Sequence, residues 1–311
     1  MKAFKIISYT FLLAAITIVL SGCSLGMKTN YEYKNAEKFT AGDRNIKDQI
    51  EVIDIDYRSG DIVLTGTSSD EVTIHETAKV DLDEKRQVHT WVDGKTLYIR
   101  YCASAKGLDL EDLEKHLEIG IPEKQVLKDL TTAVSSGDLA YSGFETENLS
   151  IEASSGEIKV DTTAKTTDIV ASSGDITLKL HGDSEIVNLE TSSGEISVDL
   201  ENSGELKAET SSGKIEVNAV DLKEITAESS SGLGLFSFQK MPERAKLSAS
   251  SGDITVSLPE DADFTAHIDT SSGDFSYDLP LSKSEDGYVC GNGTNTVTIN
   301  TSSGDIQLLK Y

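Results

Sequence analysis

Two serines, a glycine and then a charged residue recur along this chain of 311 residues, and the positions after the nine glycines are Asp138, Glu157, Asp175, Glu195, Lys214, Leu233, Asp253, Asp274 and Asp305. Three chemistries could use such a set. A serine becomes a nucleophile when a neighbouring histidine takes its proton. Two carboxylates can act as acid and base on a glycosidic bond. A row of carboxylates and hydroxyls can offer calcium the roughly six to eight oxygens it takes.

The spacing disfavours the first. His75, His89, His116, His181 and His267 are scattered, with no HExxH pair, and no serine sits in a GxSxG context. A polysaccharide-cleaving carboxylate pair would need a groove built from long loops. The one long loop is PLSKSEDGYVCGNG, residues 280–293, which either folds over its neighbours or bulges. For calcium, Asp138, Glu157, Asp175 and Glu195 form a possible cation ladder, but Lys214 interrupts the column and the nonapeptide repeat of calcium β-rolls is absent. The expectation is therefore of solvated carboxylates that partly cap turn amides, with no metal, no cofactor and no catalytic residue.

The elements that carry these residues follow from the repeat. Its glycines are Gly137, Gly156, Gly174, Gly194, Gly213, Gly232, Gly252, Gly273 and Gly304, spaced by 18–21 residues until a final step of 31. A period this regular signals a solenoid. Two and four residues after most glycines stand apolar side chains, as in Ile158 and Val160 or Ile196 and Val198, with Lys, Asp, Thr, Ser or Glu between them. Alternation of period two marks strands with one buried face. A second apolar set precedes each glycine by five and seven residues, as in Leu149 and Ile151.

Each unit of about 19 residues thus reads as two short strands, a variable polar turn such as DTTAK or HGDS, and a Ser-Ser-Gly corner. Two strands cannot bury their apolar faces alone, whereas copies stacked at about 4.8 Å build parallel sheets around a continuous core. The predicted fold is all-β, a parallel β-solenoid of nine rungs stacked in chain order, about 40 Å or more long. The glycines are its structural turns, expected at positive φ. The small residues three positions earlier, Val134 to Thr301, fit a tapering corner. Residues 36–130 share the grammar less clearly, with one Ser-Gly-Asp-Ile corner at 59–62, a hairpin turning at Asp93-Gly94, and a stretch at 108–122 that could begin as a helical turn. They are expected to start or cap the solenoid formed by 131–311.

The chain opens MKAFKIISYTFLLAAITIVLSGCSLG, a basic start, an apolar run and small residues before Cys23. Residues 1–22 read as a lipoprotein signal peptide, Leu20-Ser21-Gly22-Cys23 resembles a lipobox, and Cys23 is the expected site of lipidation, with 23–35 as spacer. A formal net charge of −25 repels nucleic acid and anionic lipid. The remaining cysteines, Cys102 and Cys290, are too few for a disulfide framework, and an elongated chain would keep them apart. One rung breaks its own pattern. SSSGLGLFSF puts Leu233 at the charged position and Gly234 at the inward one, with Leu235 outward, so that either the register slips or an apolar contact patch, Leu233 and Leu235, faces out.

These residues resemble a family of bacterial surface domains of unknown function, candidate adhesins whose repeats read Ser-Ser-Gly-Asp-Ile. The resemblance rests on RSGDIVL at 58–64, LEIGIP at 117–122, the triplets, and GNGTNTVTINTSSGDIQL at 291–308. It implies a β-helix-like fold on the cell envelope and no catalytic residues. The expected protein is a lipoprotein held through Cys23 on the outer face of a bacterial membrane. Its acidic solenoid would contact an envelope or surface protein or a glycan. An accessory part in envelope-stress sensing and a carbohydrate-active enzyme are the alternatives.

Overall fold

The computed structural model describes Thr29–Tyr311 apart from residues 111, 112 and 286. The signal peptide and Cys23 lie outside the described residues. No described helix is long and apolar enough to cross a membrane.

Alternation does what the sequence demands of it. In the strand Ile158–Ser173, Ile158, Val160, Ile169 and Ala171 are buried while Lys159, Asp161 and Asp168 face out. Successive turns pair in parallel with like residues in register, Ile158 beside Leu139 and Ile176, Val160 beside Tyr141 and Leu178. The result is a parallel β-solenoid whose interior is one apolar core.

Three features depart from the sequence reading. The variable turns were expected to separate two strands in every rung. Instead Leu139–Ser155, Ile158–Ser173, Ile176–Ser193, Ile196–Ser212 and Ile215–Ser231 are unbroken strands that bend at those positions. Hydrogen bonding to at least one neighbouring rung carries the backbone through the bends, with local register shifts, and buried Phe144, Ala164, Ser184, Ser203 and Leu222 fill the inside. Separate strands occur where Pro242 and Pro259 remove an amide, between Gly234–Phe238 and Arg244–Ser251 and between Ile254–Leu258 and Phe264–Ser272.

The second departure is the stacking order. Naming each turn by its corner glycine, the column runs Gly60, Gly137, Gly156, Gly174, Gly194, Gly213, Gly232, Gly252, Gly304, Gly273. After Leu258 the chain skips one level, lays down Phe264–Ser272 and Phe275–Tyr277, and then returns. Asn295–Ser303 enters between Arg244–Ser251 and Phe264–Ser272, and Ile306–Lys310 enters between Ile254–Leu258 and Phe275–Tyr277. The C-terminus fills a slot the chain had left open, burying Val297, Ile299, Ile306 and Leu308. The 280–293 loop makes the detour. Ser282–Ser284 and Gly287–Cys290 form a hairpin that lies antiparallel along Phe264–Ala266 and covers that edge.

At the other end, Thr96–Arg100 and His116–Pro122 add a turn parallel to Val52–Ser59 and Asp61–Thr67. Antiparallel His89–Asp93 and Val72–Thr77 close its two edges, the first through the hairpin at Asp93-Gly94. These caps deny other chains an open parallel edge. The third departure is local. In the stretch 108–122, Leu108 ends the strand Ala105–Leu108, residues 109, 110 and 113–115 are not helical, and residues 111 and 112, where part of the expected helical turn would fall, lie outside the described residues; Leu110 and Leu113 are buried ahead of His116–Pro122. Cys102 and Cys290 are buried free thiols, one in each terminal region.

Candidate functional site

The glycine corners form a column in which most levels are bonded to the next. The amide of Gly194 donates to the carbonyl of Ser212 in the next rung at 3.0 Å, and Gly174, Gly213 and Gly232 repeat that bond with Ser193, Ser231 and Ser251. The hydroxyl three positions before the glycine, treated above only as a small residue, donates back to the previous glycine's carbonyl. Thr191 reaches Gly174, Thr210 reaches Gly194, Thr301 reaches Gly252 and Thr270 reaches Gly304, all at 3.2 Å.

The carboxylates have work of the same kind. Oδ1 of Asp61, Asp138, Asp175, Asp253 and Asp305 accepts the backbone N–H of the residue after the glycine in the next rung, at 2.8–3.1 Å. All five are aspartates, whose short side chain reaches an amide one strand away. Of the possible cation ladder, Asp138 and Asp175 therefore spend one oxygen on backbone, while Glu157 pairs with Lys159 and Glu195 with Lys214. Among the described residues no three His, Cys, Asp or Glu side chains cluster as a metal site would.

The reason for glycine also changes. Seven of the nine triplet glycines have φ between 118° and 157°, but Gly194 and Gly232 do not adopt the left-handed region. What they share is contact. A Cβ on Gly194 would sit 2.1 Å from the carbonyl oxygen of Gly174, and one on Gly232 would sit 1.8 Å from that of Gly213. Successive corners touch backbone to backbone, and only a residue without a side chain fits.

The aberrant rung keeps its register, with Gly234 beside Ile215 and Ile254. The Phe236 ring fills the space that an inward isoleucine would take, since a Cβ on Gly234 would meet it at 2.8 Å. Leu233 is 37 % exposed and Leu235 half-buried, so the two leucines stand on the outside.

The surface hollows are troughs between repeating side chains. One runs along Glu190, Glu209 and Glu228 with Ser192, Ser211 and Ser230. Its charges are partly offset by Lys207 on Glu209 at 2.8 Å and Lys246 on Glu228 at 2.6 Å. On the opposite bend His181 lies between Glu201 and Asp161 at 3.1 and 2.6 Å, and these hydrogen bonds raise its pKa above the usual histidine value.

The terminal regions hold groups that the repeat pattern gave no means of finding. Lys115 occupies the column position below Gly60, where its carbonyl accepts the Asp61 amide, and its side chain turns into the core. There its ammonium, 0 % exposed, donates to Glu76 at 2.9 Å and to the Tyr101 carbonyl, and lies 4.1 Å from the Tyr101 ring centroid. Glu76, 2 % exposed, also accepts from the Tyr57 hydroxyl and the Val88 amide, so both charges are compensated. Burial still pushes the Lys115 pKa down, against the pull of Glu76, and pushes the Cys102 thiol up to about 12. At the far end the Asp263 carboxylate gathers the amides of Asn292 and Thr294 and the Thr294 hydroxyl, which hold its pKa below the usual carboxylate range.

A rigid column of rungs with bonded corners, a solid core and periodic outer troughs can now be set beside known proteins. The profile of a family described as Toastrack DUF4097 matches residues 50–309. This chain belongs to the Toastrack DUF4097 family. No curated protein matches it. Among solved structures, the Toastrack chain is similar to a candidate adhesin from Bacteroides fragilis NCTC 9343, at 14 % identity over 88 % of this chain and 98 % of that one, with a TM-score of 0.44. A candidate adhesin from Parabacteroides distasonis ATCC 8503 shows 15 % identity over 87 % and 97 %, with a TM-score of 0.46. A candidate cell adhesion protein from Clostridium sporogenes ATCC 15579 shows 10 % identity over 88 % and 100 %, with a TM-score of 0.25.

Proposed function

We propose that this Toastrack protein is an extracytoplasmic lipoprotein, anchored through Cys23, whose acidic solenoid acts by surface contact as an adhesin-like or scaffold element without catalysis. The observation that carries the reading is the interior. Apolar side chains fill most inward register positions from Leu97 to Leu308, and the buried threonines and serines stand among them, so the working groups of the repeat are spent on backbone within the column, and recognition falls to the outer faces and the two ends. The outward leucines at 233 and 235 offer one apolar contact on the side of the column.

Contact and catalysis separate in one experiment. Surface-displayed full-length protein is photo-crosslinked from residue 235 and, in parallel, incubated with acidic polysaccharides while reducing ends are counted. Crosslinks to an envelope protein or glycan with no new reducing ends support the reading; release of reducing ends overturns it. Incorporation of labelled palmitate, lost in Cys23→Ala, tests the anchor independently.

A further inference from the structure

Outward positions of the central rungs carry mostly charged and small polar residues, with a few aliphatics such as Val170, Ile186 and Val220, and no Phe, Tyr or Trp occurs from 145 to 235. The first rung is different. Leu97 and Ile99 enter the core, Tyr98 lies on the outer face, Arg100 beside it is 13 % exposed and paired with Asp54 at 2.7 Å, and Trp91 on the capping strand lies directly opposite Tyr98. The two rings stack, with centroids 5.2 Å apart and planes 19° from parallel. Phe39 packs against Trp91 at 5.7 Å, and Lys38 and Arg100 place their cations over Trp91 and Tyr98 at 4.6 and 5.4 Å.

We infer that this patch of Phe39, Trp91 and Tyr98, with Lys38 at its rim, docks on the lipid surface at the boundary between headgroups and acyl chains. The inference rests on the lipoprotein reading. Cys23 precedes Thr29 by six residues, which extend at most about 20 Å. From there the rings of Tyr31, Tyr33, Phe39 and Trp91 follow one another at 5.6, 4.8 and 5.7 Å. The tether therefore brings this surface to the bilayer that holds the lipid, at a high effective concentration, so a weak intrinsic affinity suffices.

The chemistry suits that site. Tryptophan and tyrosine favour the interface because one end of the ring is apolar and the other wet, and an exposed lysine such as Lys38 extends its cation toward phosphate while its stem lies along apolar surface. The molecule as a whole, at net −25, favours zwitterionic over anionic lipid. Docking here leaves the Gly273 end of the solenoid as the free end.

The protein has one tryptophan, so its emission reports on this patch alone. Full-length protein from bacterial membranes, with labelled palmitate as the readout of the anchor, is reconstituted into phosphatidylcholine vesicles with and without bromine on the upper acyl carbons. Brominated vesicles are expected to lower Trp91 emission about twofold, and Lys38→Glu, at an exposed position, to reduce that quenching with an unchanged circular dichroism spectrum. Quenching without palmitate label would support docking and refute the anchor. Label without quenching, or neither, would overturn docking, and the label alone decides the fate of the lipoprotein reading.

Discussion

The central rungs and the two ends of this solenoid solve the same problem by different means. From Gly137 to Gly232 each turn buries its apolar face against copies of itself, so one set of residues serves every level, namely aliphatic inside, serine and glycine at the corner, aspartate or threonine to bond the neighbouring backbone. An end has a neighbour on one side only. There the chain uses unique chemistry: the buried Lys115–Glu76 pair and antiparallel caps below Gly60, and the hairpin, the Asp263 turn and the inserted C-terminal strands above Gly252. A repeat can be written from a pattern, whereas its termination has to be built residue by residue.

That contrast can be broken at several points. The largest effect is expected from ending the chain at 294. The slot between Arg244–Ser251 and Phe264–Ser272 then stands empty, and hydrogen exchange should show Phe264–Ser272 unprotected, and Arg244–Ser251 weakened on its open edge, while 139–231 stays protected. A peptide of residues 295–311 should restore protection; loss of protection throughout would mean that the central rungs depend on the end.

Next is the base. Glu76→Ala strands a buried ammonium and should cost about 3–5 kcal/mol in denaturant unfolding. A double Glu76→Leu, Lys115→Met variant should recover most of it, because no charge is then left without a partner.

Gly194→Ala tests the corner. The methyl would enter the Gly174 carbonyl, and a loss of about 3 kcal/mol or more is expected although φ there is ordinary for any residue. Gly182 makes the control, having φ of 69° but nothing within 4 Å of its Cβ direction, so Gly182→Ala should cost only about 1 kcal/mol. Equal losses would return the explanation to backbone strain.

The smallest effect concerns pH. His181 is an exposed histidine whose pKa is raised by Glu201 first and Asp161 second. The folded state binds its proton more tightly than the unfolded state, so the contribution is complete below the ordinary histidine pKa and vanishes as pH rises through the raised value. With solvent screening, His181→Asn should cost about 0.5 kcal/mol or less at pH 5.5, and the cost should fade as pH rises through the raised value.

Much of this was legible in the chain of letters. Period-two alternation assigned the buried face, the 18–21-residue spacing of the glycines set the size of a rung, and Asp-Gly at 93–94 marked its hairpin. The threonines at 191, 210, 270 and 301 were visible only as small residues, because the carbonyl each one bonds lies one or more turns away. Lys115 and Glu76 gave no signal at all, being ordinary charged residues 39 positions apart until the fold encloses them together.

What the sequence by itself determined is everything that depends on a residue and its near neighbours, including which side chains point inward, where each turn closes, and that turns of equal length stack. Only the tertiary structure decided the order of the last turns and the need for glycine at every corner. Both depend on what lies one strand away rather than one residue away, and a strand's neighbour is fixed by which edge is open when the chain arrives there.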